Sequence, residues 1–158
     1  MKEGLSREDK IALSDTRAEG ARSFLEDAEY SHDGERYRTS VNRSYYAVLH
    51  MARSLLVLIG VSPTSHEGVR TMLALHFVKD GQLPKEALAI FKELLDRRTD
   101  VDYGDYIVVD KQRSHDSLMK AKKFIADSPP KRFLKVLQGL KFFLEHAPYI
   151  NIFFVYCP

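Results

Sequence analysis

A single cysteine, Cys157, cannot build an internal disulfide framework, so whatever fold the chain adopts rests on its own apolar core. No apolar run approaches the roughly 20 residues that span a bilayer, which argues against a transmembrane helix. The opening MKEGLSREDK is charged throughout and lacks the apolar segment of a secretory leader, so a soluble, cytoplasmic protein is expected. No Cys/His set has zinc spacing, no glycine-rich loop reads as a phosphate cradle, and no Gly-x-Ser-x-Gly elbow occurs. The residues thus name no metal or cofactor. Internal repeats and low-complexity segments are also missing. What remains is a chain of 158 residues with 44% hydrophobic and 29% charged content, enough for one domain with a real core.

Net charge is small, +2, and unevenly spread. Lys131, Arg132, Lys135 and Lys141 against Glu145 make the end of the chain basic and leave residues 1–127 slightly acidic in sum. The main body is therefore no basic nucleic-acid sponge, and any RNA contact there must be local and involve few phosphates.

Helical periodicity dominates. Ile11, Ser14, Ala18, Ala21, Leu25 and Ala28 recur at steps of three and four, as do Tyr45, Leu49, Ala52, Leu56 and Ile59. Gly34 in the polar link Ser31-His32-Asp33-Gly34 separates these two helices, and Gly60 with Pro63 stops the second. A third helix is expected from Thr64, with Thr64 and Glu67 as a capping box, running through Val69, Met72, Leu73 and Phe77 to Gly81. Pro84 suits the first turn of a fourth, whose apolar face is Ala87, Leu88, Phe91, Leu94 and Leu95. Asp110 is a good N-cap for a fifth, with Leu118, Ala121, Phe124 and Ile125 inward, broken by Ser128-Pro129-Pro130. The expected fold is all-α, an up-and-down bundle of about five helices over residues 1–127. Residues 128–158 form a C-terminal extension: the basic helix KRFLKVLQGLKFFLEHA, then a strand-like apolar run from Ile150 to Cys157. Packing on the bundle or on a neighbouring subunit is favoured for this extension over docking on a membrane surface.

Three segments draw the eye for chemistry: NRSYYAVLHMARSLL from Asn42 to Leu56, SHEGV from Ser65 with the later FVKDG from Phe77, and RTDVDYG from Arg98 to Gly104. In this order and spacing they resemble the HEPN family, "higher eukaryotes and prokaryotes nucleotide-binding", in its small stand-alone branch, over about residues 8–127. The tail from Ser128 matches nothing in that family. The resemblance implies a helical bundle that forms a homodimer and is often encoded beside a minimal nucleotidyltransferase, as the toxin half of a toxin-antitoxin pair. Active members are metal-independent ribonucleases with an Arg-x(4–6)-His motif at the end of the fourth helix. In a related subgroup the nucleotidyltransferase silences the toxin by adding AMP to a tyrosine just after that motif.

Metal-free RNA cleavage needs a base for the 2′-hydroxyl and a cation for charge developing on the phosphate. Arg98 stands in place to supply the cation, since its planar fork stays charged and grips two oxygens. The histidine is missing: positions 103 to 105 are Tyr, Gly and Asp. Tyrosine, with an ordinary pKa of about 10, is a poor base at neutral pH. Catalysis by Arg98 and Tyr103 therefore requires rescue by His66, His50 or His115 from a neighbouring helix or subunit.

Each candidate also has a plainer reading. Arg97 and Arg98 complement the negative end of a helix, Asp100, Asp102 and Asp105 solvate a turn, and Gly104 supplies a positive φ. Tyr103 or Tyr106 closes the edge of the core, or one of them accepts AMP. Arg43, Tyr46, His50 and Arg53 make a stripe on the second helix. That stripe either faces a cleft and binds phosphate or nucleotide, or is a core edge with a surface ion pair. His66 either binds an anion or merely begins the third helix. Two functions follow: an RNA- or nucleotide-binding toxin with ribonuclease chemistry, or a non-catalytic module that binds a nucleotidyltransferase. A third reading makes the basic tail the main interface.

Overall fold

The computed structural model describes residues 5–104 and 107–129; Asp105, Tyr106 and the expected extension beyond Pro129 lie outside that description. The described residues form five α-helices and no strand, so the all-α bundle is as expected. Helix α1 spans Arg7–Asp33, α2 Tyr37–Leu58, α3 His66–Leu73, α4 Glu86–Tyr103 and α5 Lys111–Asp127. Helix α2 lies at the centre and packs against all four others.

Local chemistry explains most of the boundaries. The Ser6 hydroxyl caps α1 by accepting from the Asp9 amide at 3.0 Å, with Glu8 and Asp9 in the first turn to complement the helix dipole. Its buried positions are small (Ser14, Ala18, Ala21, Ala28 and Ser31), which lets α1 lie close along α2. Gly34 separates α1 from α2 as expected, with a φ of −81°, and the left-handed residue of the turn is Glu35, with a φ of 57°. At the end of α2, Gly60 at a φ of 78° lets its own amide and that of Val61 return to the Val57 and Leu56 carbonyls.

Ser65, not Thr64, caps α3, its hydroxyl accepting from the Gly68 amide at 3.0 Å. Glu67 turns forward to Arg70 at 2.6 Å instead of reaching back, so no reciprocal box forms. A π-helical turn, Ala74–Val78, extends α3 and buries Phe77 before Gly81 ends the run. Asp110 caps α5 as expected, accepting from the Arg113 amide at 2.7 Å.

The core gathers Val48, Leu56, Leu73, Phe77, Phe91, Leu94 and Phe124, all nearly or fully buried. Each such side chain contributes about 1.5–3 kcal/mol relative to exposure. Ile90 and Val101 join the inner face of α4, whereas Leu88 and Leu95 are only half-buried. Helix α4 is latched to α5 by Arg97, which bonds Glu93 at 2.6 Å, the Ser117 hydroxyl at 2.8 Å and the Arg113 carbonyl at 3.1 Å.

The acidic stretch after Asp96 is helical through Tyr103, so it is the last two turns of α4 and not a loop. Its acids do more than solvate, since Asp100 pairs with Arg113 at 2.6 Å and Asp102 pairs with Arg98 at 2.8 Å. The cation at the carboxyl end of α4 comes from another helix: Arg38 of α2 donates to the carbonyls of Val101 and Ile107. Gly104 has a φ of −89°, so a positive φ is not its reason to be glycine. Its reason is crowding, because a β-carbon there would stand 2.5 Å from the Asp100 carbonyl oxygen and 2.7 Å from the Ile107 side chain. Gly104→Ala is expected to lower the unfolding free energy by about 1–3 kcal/mol, the range for overpacking. A urea midpoint equal to that of the parent protein, at unchanged slope, would show that the turn has room.

Candidate functional site

The stripe on α2 meets α1 first. Phe24 of α1 stacks on Tyr46 with centroids 5.5 Å apart and sits 4.8 Å from the His50 ring. The Arg43 guanidinium lies over the other part of this group, 5.4 Å from the Phe24 centroid. Gly20 makes the fit possible, as a β-carbon there would come within 3.1 Å of His50 Nδ1. Arg17 donates to the Arg53 carbonyl at 3.1 Å, and Arg53 itself reaches the Thr64 carbonyl at 3.4 Å. Arg53 is thus half-buried against backbone oxygens, not a surface ion-pair former.

Arg98 arrives from α4. Its Nη2 pairs with Asp102 at 2.8 Å and lies 3.4 Å from the Tyr46 hydroxyl, with the guanidinium carbon 5.8 Å from the Tyr46 centroid. Asn42 of α2 holds the other Asp102 oxygen at 3.2 Å. One turn of helix therefore places the acid that aims the arginine, and α2 places the acid. Among the described residues, Arg98 Nε and Arg53 Nε are buried donors without a hydrogen-bond partner. Tyr103 belongs to none of these contacts and is 76% exposed. Tyr106 lies outside the described residues.

His66, the first residue of α3, closes the group. Its Nδ1 shares a short hydrogen bond with the Tyr45 hydroxyl, and Tyr45 in turn touches Tyr46 at 5.6 Å and Phe91 at 6.0 Å between ring centroids. Burial pushes the Tyr45 phenol well above its ordinary pKa, against the opposing pull of Arg98 and Arg53. Burial first, then the charges of Arg53 and Arg98, lowers the pKa of His66. His50 is lowered by burial first, then by Arg53 and Arg17.

The structure thus brings Arg43, Tyr46, His50, Arg53, His66 and Arg98 into one connected group. His115, the third histidine considered as a substitute base, sits instead beside His32, 5.9 Å away ring to ring. Sequence reasoning missed Arg17, Phe24 and Asn42 and gave Asp102 and Tyr45 only supporting roles. The signal for the first two was the step Arg17, Gly20, Phe24, a polar-aromatic line beside the apolar face of α1. Chemically the group gathers several arginines around the paired carboxylate of Asp102, with two imidazoles whose pKa is lowered and stacked rings. Such a surface suits a phosphate beside a base. Among the described residues no three His, Cys, Asp or Glu side chains converge as a metal site would require, and no helix is long and apolar enough to cross a membrane.

A model of the HEPN domain matches residues 15–129. A UPF0332 protein of Thermotoga maritima is 32% identical over 105 residues, which cover 66% of this chain and 80% of that protein. A UPF0332 protein of Gloeobacter violaceus is 33% identical over 116 residues, 73% of this chain and 86% of its own length. A Methanocaldococcus jannaschii protein that bears the name "Putative toxin MJ0605" is 32% identical over 83 residues, 52% of this chain and 62% of that one.

The two lowered histidines have a consequence for stability. Below their unfolded pKa of about 6.5 the unfolded chain binds protons that folded His50 and His66 refuse, so stability present above that pH is lost as pH falls through the folded values. Urea unfolding between about pH 7 and 5 should show this decline, and His50→Gln should flatten it. Equal slopes in parent and variant would remove His50 from the account.

Proposed function

Because the chain belongs to the HEPN domain family, we propose that it is a toxin-like protein that acts on RNA without a metal, seating a backbone phosphate at Arg98. The observation that supports this most is the held arginine itself: Arg98 lies in the last turns of α4, where the resemblance puts the motif arginine, is paired with Asp102, and stands beside Tyr46 and His66. The jannaschii relative's name supports the toxin-like reading. In cleavage, the 2′-oxygen attacks phosphorus, the bond to the 5′-oxygen breaks, and Arg98 stabilises the charge that gathers on the phosphoryl oxygens. The stacked Tyr46 and Phe24 rings would support a base next to that phosphate. A homodimer paired with a nucleotidyltransferase in the cytoplasm, with residues 128–158 as an appended segment, completes the proposal. The test is RNA cleavage by purified protein in a chelator. Arg98→Ala is expected to slow cleavage by about 10²–10³, the cost of removing one oxyanion donor. RNA left intact by both proteins ends the ribonuclease reading.

A second reading has its own observation. Tyr103 projects from the last turn of α4 with 76% of its surface exposed, free of the Arg98 group and open to an enzyme. In this reading the chain is a non-catalytic module that binds a nucleotidyltransferase and receives AMP on Tyr103, with Tyr106 the other acceptor. After incubation with a nucleotidyltransferase encoded beside it and ATP, the intact mass should rise by whole AMP units in the parent and not in a variant carrying both Tyr103→Phe and Tyr106→Phe. An unchanged parent mass removes the acceptor role.

A further inference from the structure

The Tyr45–His66 pair has a property that decides what His66 can do. The Tyr45 side chain is fully buried, and among the described residues its hydroxyl has one partner, His66 Nδ1. A buried hydroxyl donates its hydrogen wherever an acceptor is in reach. If Nδ1 were instead the donor, the phenol hydrogen would be left without an acceptor in the core. The phenol therefore donates, Nδ1 accepts, and the ring of a neutral His66 carries its hydrogen on Nε2.

The surroundings hold the ring in that state. From α2 it faces Tyr45 and Arg53, and from α4 it faces Arg98. On its own helix Glu67 is drawn to Arg70 at 2.6 Å, and the nearby carboxylate of α4, Asp102, is taken by Arg98 and Asn42. A second proton would bring a third cation beside two arginines and would set a donor against the Tyr45 hydroxyl. Burial and the two guanidinium groups lower the pKa of His66 in keeping with this.

We propose that Tyr45 fixes His66 as a neutral imidazole with its hydrogen on Nε2, so that His66 presents a hydrogen-bond donor to a phosphoryl oxygen held by Arg98 and is not the proton acceptor in cleavage. The ligand in this inference rests on the RNA reading given above; the tautomer does not. Tyr45 is a positioning residue, and His66 a binding residue that replaces the motif's missing base with a different chemistry. The 2′-hydroxyl then loses its proton to hydroxide from solvent as the 2′-oxygen bonds to phosphorus. The leaving 5′-oxygen takes a proton from water, which restores the hydroxide.

Nitrogen-15 correlation spectra of the full chain at pH 7 read the tautomer directly. Nε2 should appear protonated and Nδ1 unprotonated, and Tyr45→Phe should mix the two forms and raise the pH at which His66 titrates. A hydrogen on Nδ1 in the parent, or an imidazolium at pH 7, would overturn the proposal. Binding of a fluorescein-labelled 2′-deoxyuridylate oligomer, which cannot be cut by this route, should weaken about tenfold in His66→Ala and within about threefold in His66→Gln, which keeps a donor. Equal loss in both variants counts against the donor role. The cleavage rate should climb with pH through the histidine range without a plateau, whereas a plateau would identify a histidine base and overturn the assignment. No cleavage at all would end the ribonuclease reading, and the spectra and oligomer binding would still decide the role of His66.

Discussion

Helix α2 touches every other helix of the bundle, and this crowding governs where its polar side chains can go. Its apolar and small residues, from Val41 through Leu58, fill the centre. Arg43, Tyr46, His50 and Arg53 are left only half-covered. A long side chain in that position keeps its stem on apolar surface and sends its head to the nearest opening or carbonyl. That opening on α2 faces α1, the start of α3 and the last turns of α4, and so Arg17, Phe24, His66 and Arg98 gather beside it. The group is a by-product of packing before it is a site.

Its electrostatics follow from the same crowding. Arg17, Arg43, Arg53 and Arg98 lie within one connected group whose carboxylate partner is Asp102, and Asp102 is already shared between Arg98 and Asn42. Positive charge in partly buried surroundings is costly unless hydrogen-bonded, and here the partners are backbone oxygens and ring faces. That leaves donors such as Arg98 Nε and Arg53 Nε without a hydrogen-bond partner among the described residues. An anion with several oxygens answers this imbalance better than another side chain would, since it can accept from more than one guanidinium at once. Burial first, and then the same positive field, lowers the pKa of His50 and His66.

The helices were legible because their apolar period is regular, and so were Asp110 as a cap and Gly60 and Gly81 as stops. The misread details turn on contacts that residue type and spacing do not show. Gly104 looks like a residue needing a positive φ, yet what it needs is clearance from Asp100 and Ile107. The Asp96–Tyr103 stretch reads as a turn because its charges are dense, but Arg38, Arg113 and Arg98 reach those acids and carbonyls and keep the helix going. Arg98 and the α2 stripe could be picked out individually. Their assembly with His66 and Phe24 could not, because it depends on how α1, α3 and α4 pack against α2.

The terminal turns of α4 also separate two roles that a linear motif would fuse. Arg98 points into the bundle, held by Asp102 and Tyr46, while Tyr103, five positions on, stands in solvent. Residues five apart on an α-helix differ by about 140° around the axis, so the two side chains leave it on different faces. Arg38 of α2 donates to the carbonyls of Val101 and Ile107 on either side of Gly104, which ties the end of α4 to α2. An inward-facing arginine and an outward-facing tyrosine mean that the phosphate binding proposed for Arg98 and the modification proposed for Tyr103 need not compete for the same space.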